Sequence, residues 1–133
     1  MILPCEVAVK SVVPAVRALL ATRLVEKNGL KQDEVAQILG ISQSAVSRYT
    51  RKSRGHVIKV SDVDGIRPLI IKMTALLLDG EYQGQEFLTY FCQTCALVRK
   101  SSLMCPFCRK MDPKVEIQQC RFCLDHDLPA GKR

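Results

Sequence analysis

The chain has 133 residues, of which 47% are hydrophobic and 25% charged, so a compact folded domain is expected and an unfolded chain is not. The most apolar stretch, residues 69–78, is shorter than the ~18–20 residues that a transmembrane helix requires, and Lys72 interrupts it. The N-terminus lacks the charged and apolar segments of a secretion signal, so we expect a cytoplasmic protein without a membrane partner.

The positive charge is concentrated in the first half of the chain. Residues 1–60 carry ten Lys and Arg against four Asp and Glu, a net charge of +6, whereas residues 61–133 carry ten against nine, a net charge of +1. A basic N-terminal half is typical of a module that binds a polyanion such as nucleic acid.

The first predicted helix covers residues 14–28. Pro14 suits the first turn of a helix, and Gly29 provides the left-handed conformation that ends one. Apolar residues at helical spacing form its expected inner face: Val16, Leu19, Leu20 and Leu24.

Two shorter helices are predicted at residues 32–39 and 43–52, with a tight turn between them. Asp33 and Glu34 lie in the first turn of the earlier helix, near the positive end of its dipole. Ser42 is a good N-cap for the later helix.

The spacing within this pair of helices indicates a helix-turn-helix. Ala36 is a small residue where the helices would cross, and Gly40 tolerates a positive φ in the turn. Ile41 and Val46 provide the apolar contacts behind the turn and on the inner face of the second helix. The predicted DNA-binding residues lie on the outer face and just beyond it: Gln43, Ser44, Ser47, Arg48, Arg51, Lys52 and Arg54.

These side chains are suited to double-stranded DNA. Short polar groups at a helix start can reach base edges in the major groove, and an Arg such as Arg48 can hydrogen-bond guanine with two donors. The trailing basic residues suit contacts with phosphates.

This block resembles the lambda-repressor-like (XRE) helix-turn-helix class. More narrowly, residues 1 to about 108 resemble a family of small archaeal predicted transcriptional regulators. The shared features are Leu-Pro-Cys-Glu at residues 3–6, Pro14 and Arg17, Gln-Ser-Ala-Val-Ser at residues 43–47, Arg-Gly at 54–55, and the cysteines of residues 92–108. The resemblance implies DNA binding as a repressor or activator, as a homodimer. The sequence departs from the XRE-like pattern at Lys31, where XRE-like sequences usually have a capping Ser or Thr.

A long helix is predicted over residues 65–78, and a short one over residues 85–91. The long helix carries a wide apolar stripe, which we interpret as core, with a dimer contact left open: Ile66, Leu69, Ile70, Met73, Leu76 and Leu77. From residue 92 onward the sequence predicts loops and metal knuckles.

Six of the seven cysteines form three C-x-x-C pairs, a spacing typical of metal ligands: Cys92/Cys95, Cys105/Cys108 and Cys120/Cys123. Without an export signal, this pattern favours metal binding over disulfides. Zinc is the expected metal, and an iron–sulfur cluster, which would make the protein a redox or iron sensor, is the alternative. The seventh cysteine, Cys5, is expected to be a buried apolar thiol.

The choice of ligands stays open on spacing alone. The family resemblance favours Cys92, Cys95, Cys105 and Cys108 as one site. The last pair, Cys120/Cys123, would then be left over, with His126 and a dimer partner as further candidate donors. Alternatively, Cys92/Cys95 and Cys120/Cys123 bind the metal together, and Cys105/Cys108 is exposed.

The sequence thus predicts a mostly α fold: a helix-turn-helix domain at residues 1–56, connecting or dimerising helices at 57–91, and a loop-rich metal-knuckle module at 92–133. The expected function is a homodimeric, sequence-specific DNA-binding transcriptional regulator.

Two other function classes are weighed against the regulator. One is a non-specific nucleic-acid-binding zinc adaptor. The other is a thiol oxidoreductase, because residues 105–108 resemble a glutaredoxin-type active site; the strand-helix-strand unit such an enzyme needs is not indicated. The sequence indicates no other catalytic group and no small-molecule substrate, so we expect a protein that is not an enzyme.

Overall fold

The regular elements of the chain are helices throughout the part that the structure describes. This structure, a computed structural model, describes residues 3–51, 58–80, 84–114, 116 and 120–125, and none of these residues lies in a strand. The mostly α prediction is confirmed. The helices are α1 (Pro4–Lys10), α2 (Val12–Glu26), α3 (Gln32–Leu39), α4 (Gln43–Thr50), a 3-10 turn (Val60–Asp62), α5 (Ile66–Leu78), α6 (Gln85–Lys100), α7 (Cys105–Met111) and α8 (Phe122–Asp125).

Helix α2 lies at the centre of the fold and contacts α1, α3, α4, α5 and α6. It is buried on several sides because small residues, Ala15, Ala18 and Ala21, allow neighbouring helices to approach closely. It begins at Val12, so Pro14 is its third residue and not its first, which corrects the predicted start. Gly29, at φ 67°, follows its end as expected.

Helix α1 was not predicted as a helix. Pro4 occupies its first turn, where the missing N–H costs nothing, and Val7 and Ala8 are buried. Helix α1 packs against α2. Cys5 is exposed, so the expectation of a buried thiol is wrong.

Helix α5 follows the sequence prediction to within one residue. Its apolar stripe is buried at Ile66, Ile70, Met73 and Leu77. The stripe is wide because two neighbours, α6 and α2, cover it. Helices of the same chain therefore bury the inner stripe of α5, and no second chain is needed to cover it.

Helix α6 is much longer than predicted and runs to Lys100. The expectation that residue 92 begins a loop-rich module is therefore wrong, because Cys92 and Cys95 lie on this helix one turn apart. The helix is held by Thr94 and Val98, which are both 0% exposed.

The buried residues of all these helices form one hydrophobic cluster that extends from Val7 to Met104. Val98 and Met104, which belong to the expected metal module, are thus buried in the same core as residues of the expected DNA-binding domain. The domain boundaries stay a prediction. In the described part of the chain, no helix has the length and apolarity needed to cross a membrane.

Candidate nucleic-acid interface and cysteine cluster

The bend between α3 and α4 has the geometry that the sequence predicted. Gly40 adopts φ 68° and ψ 33°, a left-handed conformation that strains most residues with a Cβ. Ala36 is 8% exposed and Val46 0% exposed, and α3 packs directly on α4. Ile41 is half-buried behind the turn. The two helices therefore form a helix-turn-helix.

The starts of the two helices are capped differently. The Ser42 Oγ accepts a hydrogen bond from the Ala45 backbone N–H at 3.1 Å. At the start of α3, Lys31 cannot accept such a bond, but its own backbone N–H donates to Glu34 Oε1 at 3.2 Å. Helix α3 thus has half of a capping box, and the Glu34 backbone N–H that a capping side chain would satisfy donates instead to Asp33 Oδ1 at 3.0 Å.

The outer face of α4 presents polar and basic side chains to solvent. Gln43, Ser44, Arg48 and Arg51 are exposed and Ser47 is half-buried. These five predicted residues and Gln32 line one open concavity of about 440 Å³. The remaining predicted residues, Lys52 and Arg54, lie outside the described residues.

Gln32 is the one lining residue that the sequence analysis missed. It is the first residue of α3, and the crossing of the two helices brings it beside the start of α4. The signal was available, because a helix-turn-helix places the N-terminus of its first helix near that of its second. Gln32 adds an amide that can donate and accept hydrogen bonds.

The chemistry of this concavity is that of a nucleic-acid surface. Two guanidinium groups, those of Arg48 and Arg51, lie among amides and hydroxyls. Arg51 Nε donates to the Ser47 carbonyl at 3.3 Å, which holds its side chain along the end of α4. The lining contains no carboxylate that would repel phosphate.

The comparison with known families agrees with this geometry. A helix-turn-helix family model matches residues 22–68, which include α3, the Gly40 turn and α4. The chain therefore contains a helix-turn-helix domain of the XRE/Cro type, and such a domain indicates DNA binding. Searches of curated proteins and of solved structures found no match.

The predicted metal ligands lie on or next to three helices, α6, α7 and α8. Cys92 and Cys95 are on α6, Cys105 and Cys108 are in the first turn of α7, and the last pair, Cys120 and Cys123, flanks the start of α8. Among the described residues, no three side chains of His, Cys, Asp or Glu are grouped as a metal site. The ligand set stays a prediction, and His126 lies outside the described residues.

A buried arginine lies between these cysteines. Arg99, on α6, is only 4% exposed. Its Nε donates to Cys123 Sγ at 3.4 Å, and one terminal nitrogen is 3.9 Å from Cys5 Sγ. Its guanidinium also lies 5.9 Å from the centre of the Phe122 ring. Arg99 thus contacts both α8 and α1.

Burial is the main influence on the pKa of two half-buried thiols, those of Cys95 and Cys108. It raises the pKa of Cys95, while the nearby Arg99 charge opposes that rise. Burial also raises the pKa of Cys108, to which the charges of Cys123, Cys105 and Cys120 add.

Proposed function

We propose that the chain is a sequence-specific transcriptional regulator that reads the major groove of double-stranded DNA with α4. The observation that carries this proposal is the concavity of about 440 Å³ lined by α4 and the start of α3. Its Arg48 and Arg51 side chains supply positive charge, and its hydroxyl and amide groups supply the donors and acceptors of direct base readout.

We expect the two ends of α4 to contact different parts of the DNA. We expect Gln43 and Ser44, at the N-terminal end of α4, to contact base edges, as the corresponding residues do in other helix-turn-helix proteins. We expect Arg51, just beyond the helix, to contact the phosphate backbone.

The test is a selection of binding sites from a pool of randomised duplexes with the full chain. We expect enrichment of one short motif, and an affinity for it ~10³-fold or more above that for scrambled DNA at the same salt concentration. The absence of any enriched motif, with equal affinity for all duplexes or tighter binding of single-stranded RNA, would favour the non-specific adaptor instead.

We also propose that the regulator acts as a homodimer through the outer face of α5. Ile71 is 46% exposed and Leu78 is 44% exposed. They are seven residues apart, so they lie on the same side of the helix, away from the inner stripe. A dimer would present two α4 helices to two half-sites.

A further inference from the structure

The guanidinium of Arg99 is buried, and one of its nitrogens lacks a hydrogen-bond acceptor. Arg99 is only 4% exposed. In the described part of the chain its Nη2 atom has no partner, and its other two nitrogens contact sulfur atoms. The sulfur of a neutral thiol is a weak acceptor, so these contacts replace little of the water that the guanidinium has lost. Such surroundings favour a further acceptor that carries negative charge.

Cys5 is the thiol at which such an acceptor can be added. Its Sγ lies 3.9 Å from Arg99 Nη1, which is bonded to the same carbon as the unpartnered Nη2. The Cys5 side chain is exposed, so a small reagent in solvent can reach it. Because Cys5 is on α1 and Arg99 is on α6, 94 residues away, the two groups meet only in the folded chain.

Cys123, the second thiol beside Arg99, is less suited to a reaction with a reagent in solvent. It is half-buried, and its Sγ already accepts a hydrogen bond from Arg99 Nε at 3.4 Å. It also belongs to a C-x-x-C pair, whereas Cys5 belongs to none. Chemistry at Cys5 therefore leaves all the predicted metal ligands intact.

We propose that Cys5 is a site of reversible oxidation by hydrogen peroxide, and that Arg99 holds the resulting sulfenic acid. The thiol gives its proton to solvent, and its sulfur attacks one oxygen of the peroxide. An S–O bond forms as the O–O bond breaks, and the hydroxide that leaves takes up a proton to become water. The sulfur loses two electrons and the peroxide gains them.

The oxygen added to the Cys5 sulfur supplies what the guanidinium lacks. It is a stronger acceptor than a thiol sulfur, and its negative charge on ionisation complements the buried cation. A sulfenic acid without such a partner is consumed by other thiols or by more peroxide. The contact with Arg99 therefore prolongs the life of the oxidised form, which a small thiol in solution reverses through a mixed disulfide.

The test measures how long the Cys5 sulfenic acid survives in the purified full chain. The protein is exposed briefly to hydrogen peroxide, catalase removes the excess, and dimedone, which traps sulfenic acids, is added after increasing delays. Mass spectrometry gives the fraction of Cys5 that is trapped. We expect the sulfenic acid to survive several-fold longer in the folded protein than in the same chain unfolded in urea. The absence of a Cys5 adduct, equal survival in both states, or recovery of Cys5 only as a disulfide would overturn the proposal.

Variants of Arg99 separate its charge from the exposure of Cys5. Arg99→Met removes the charge but keeps a long unbranched side chain, and Arg67→Met on the exposed side of α5 is the matched control. We expect survival to fall several-fold in Arg99→Met and to stay unchanged in Arg67→Met, with circular dichroism to show that both retain their helices. A folded Arg99→Met protein with wild-type survival would overturn the proposal. If Arg99→Met does not fold, the comparison of folded and unfolded wild type decides alone, and neither measurement involves DNA.

Discussion

We expect Arg48 to provide one of the specific base contacts of α4. It is exposed on the outer face of the helix and lines the concavity beside Gln43 and Ser44. Its guanidinium has the donor geometry for two hydrogen bonds to guanine. An amide or hydroxyl at the same position could not make that paired contact.

Replacing Arg48 with Ala should weaken binding to the selected motif by ~1–3 kcal/mol and relax preference at one base pair. The measurement is fluorescence anisotropy with the selected duplex and with each single-base variant. Lys114→Ala removes the same charge from an exposed position outside the concavity, so it is the matched control. An equal loss on selected and scrambled DNA would show that Arg48 contacts phosphate only.

At the scale of the element, the Gly40 turn sets the angle between α3 and α4. A Cβ at Gly40 would meet no atom within 4 Å, so the only penalty for a side chain is its φ of +68°. A substitution at Gly40 therefore measures the cost of backbone strain without any contribution from steric clash. The turn therefore offers a matched pair of substitutions.

Gly40→Ala should reduce the free energy of unfolding by ~1 kcal/mol or more, because Ala rarely adopts a left-handed conformation. Gly40→Asn should cost less, since Asn tolerates that region. Chemical denaturation of both variants checks the order. Equal stability of the two variants would contradict the view that backbone conformation alone requires glycine here.

The unequal caps of α3 and α4 give a second prediction for the elements. Lys31→Ser should add a hydroxyl acceptor at the start of α3 and stabilise the protein by about 0.5 kcal/mol at most, because the Glu34 N–H already donates to Asp33 Oδ1. Conversely, Ser42→Ala removes the acceptor for the Ala45 N–H and should destabilise it by about 1 kcal/mol. Thermal unfolding of both variants is the measurement, and a destabilising Lys31→Ser would contradict the prediction.

Elements defined by local geometry were predictable from sequence, and those defined by tertiary contacts were less so. Ala36, Gly40 and Val46 act within one short segment, so their spacing alone indicated the helix-turn-helix. Gln32 was missed because the sequence analysis considered the second helix alone, although the helix-turn-helix pattern brings the starts of both helices together. The predicted helix at residues 85–91 is shorter than α6 because its C-x-x-C pair was interpreted as a metal knuckle. Thr94 and Val98 continue the buried face of the helix beyond residue 91.

At the scale of the whole molecule, one core joins the DNA-binding helices to the cysteine-bearing helices. Val98 and Met104 are buried with residues of α1 and α2, and α7 packs against α1. The sequence suggested separate modules because the cysteines dominate its last third. The pairing of Arg99 with Cys123 and Cys5 spans 24 and 94 residues, which no local pattern reveals.

The proposed dimer is also a property of the whole molecule. Ile71→Lys should place a charge on the exposed face of α5 and shift the mass in solution from two chains to one, as measured by multi-angle light scattering. Val9→Lys is the matched control, because Val9 is 63% exposed on α1. A wild-type protein that is monomeric both free and on DNA would contradict the proposed dimer.

The central claim, that the start of α4 reads bases, is tested most directly by the combined variant Gln43→Ala/Ser44→Ala/Ser47→Ala. The measurement is the ratio of affinities for the selected and the scrambled duplex at one salt concentration. Because Arg48 and Arg51 remain, we predict that the ratio falls to the residual preference that Arg48 provides at one base pair, while affinity for scrambled DNA is unchanged. A variant that folds and discriminates between the two duplexes as well as the wild type would contradict the account.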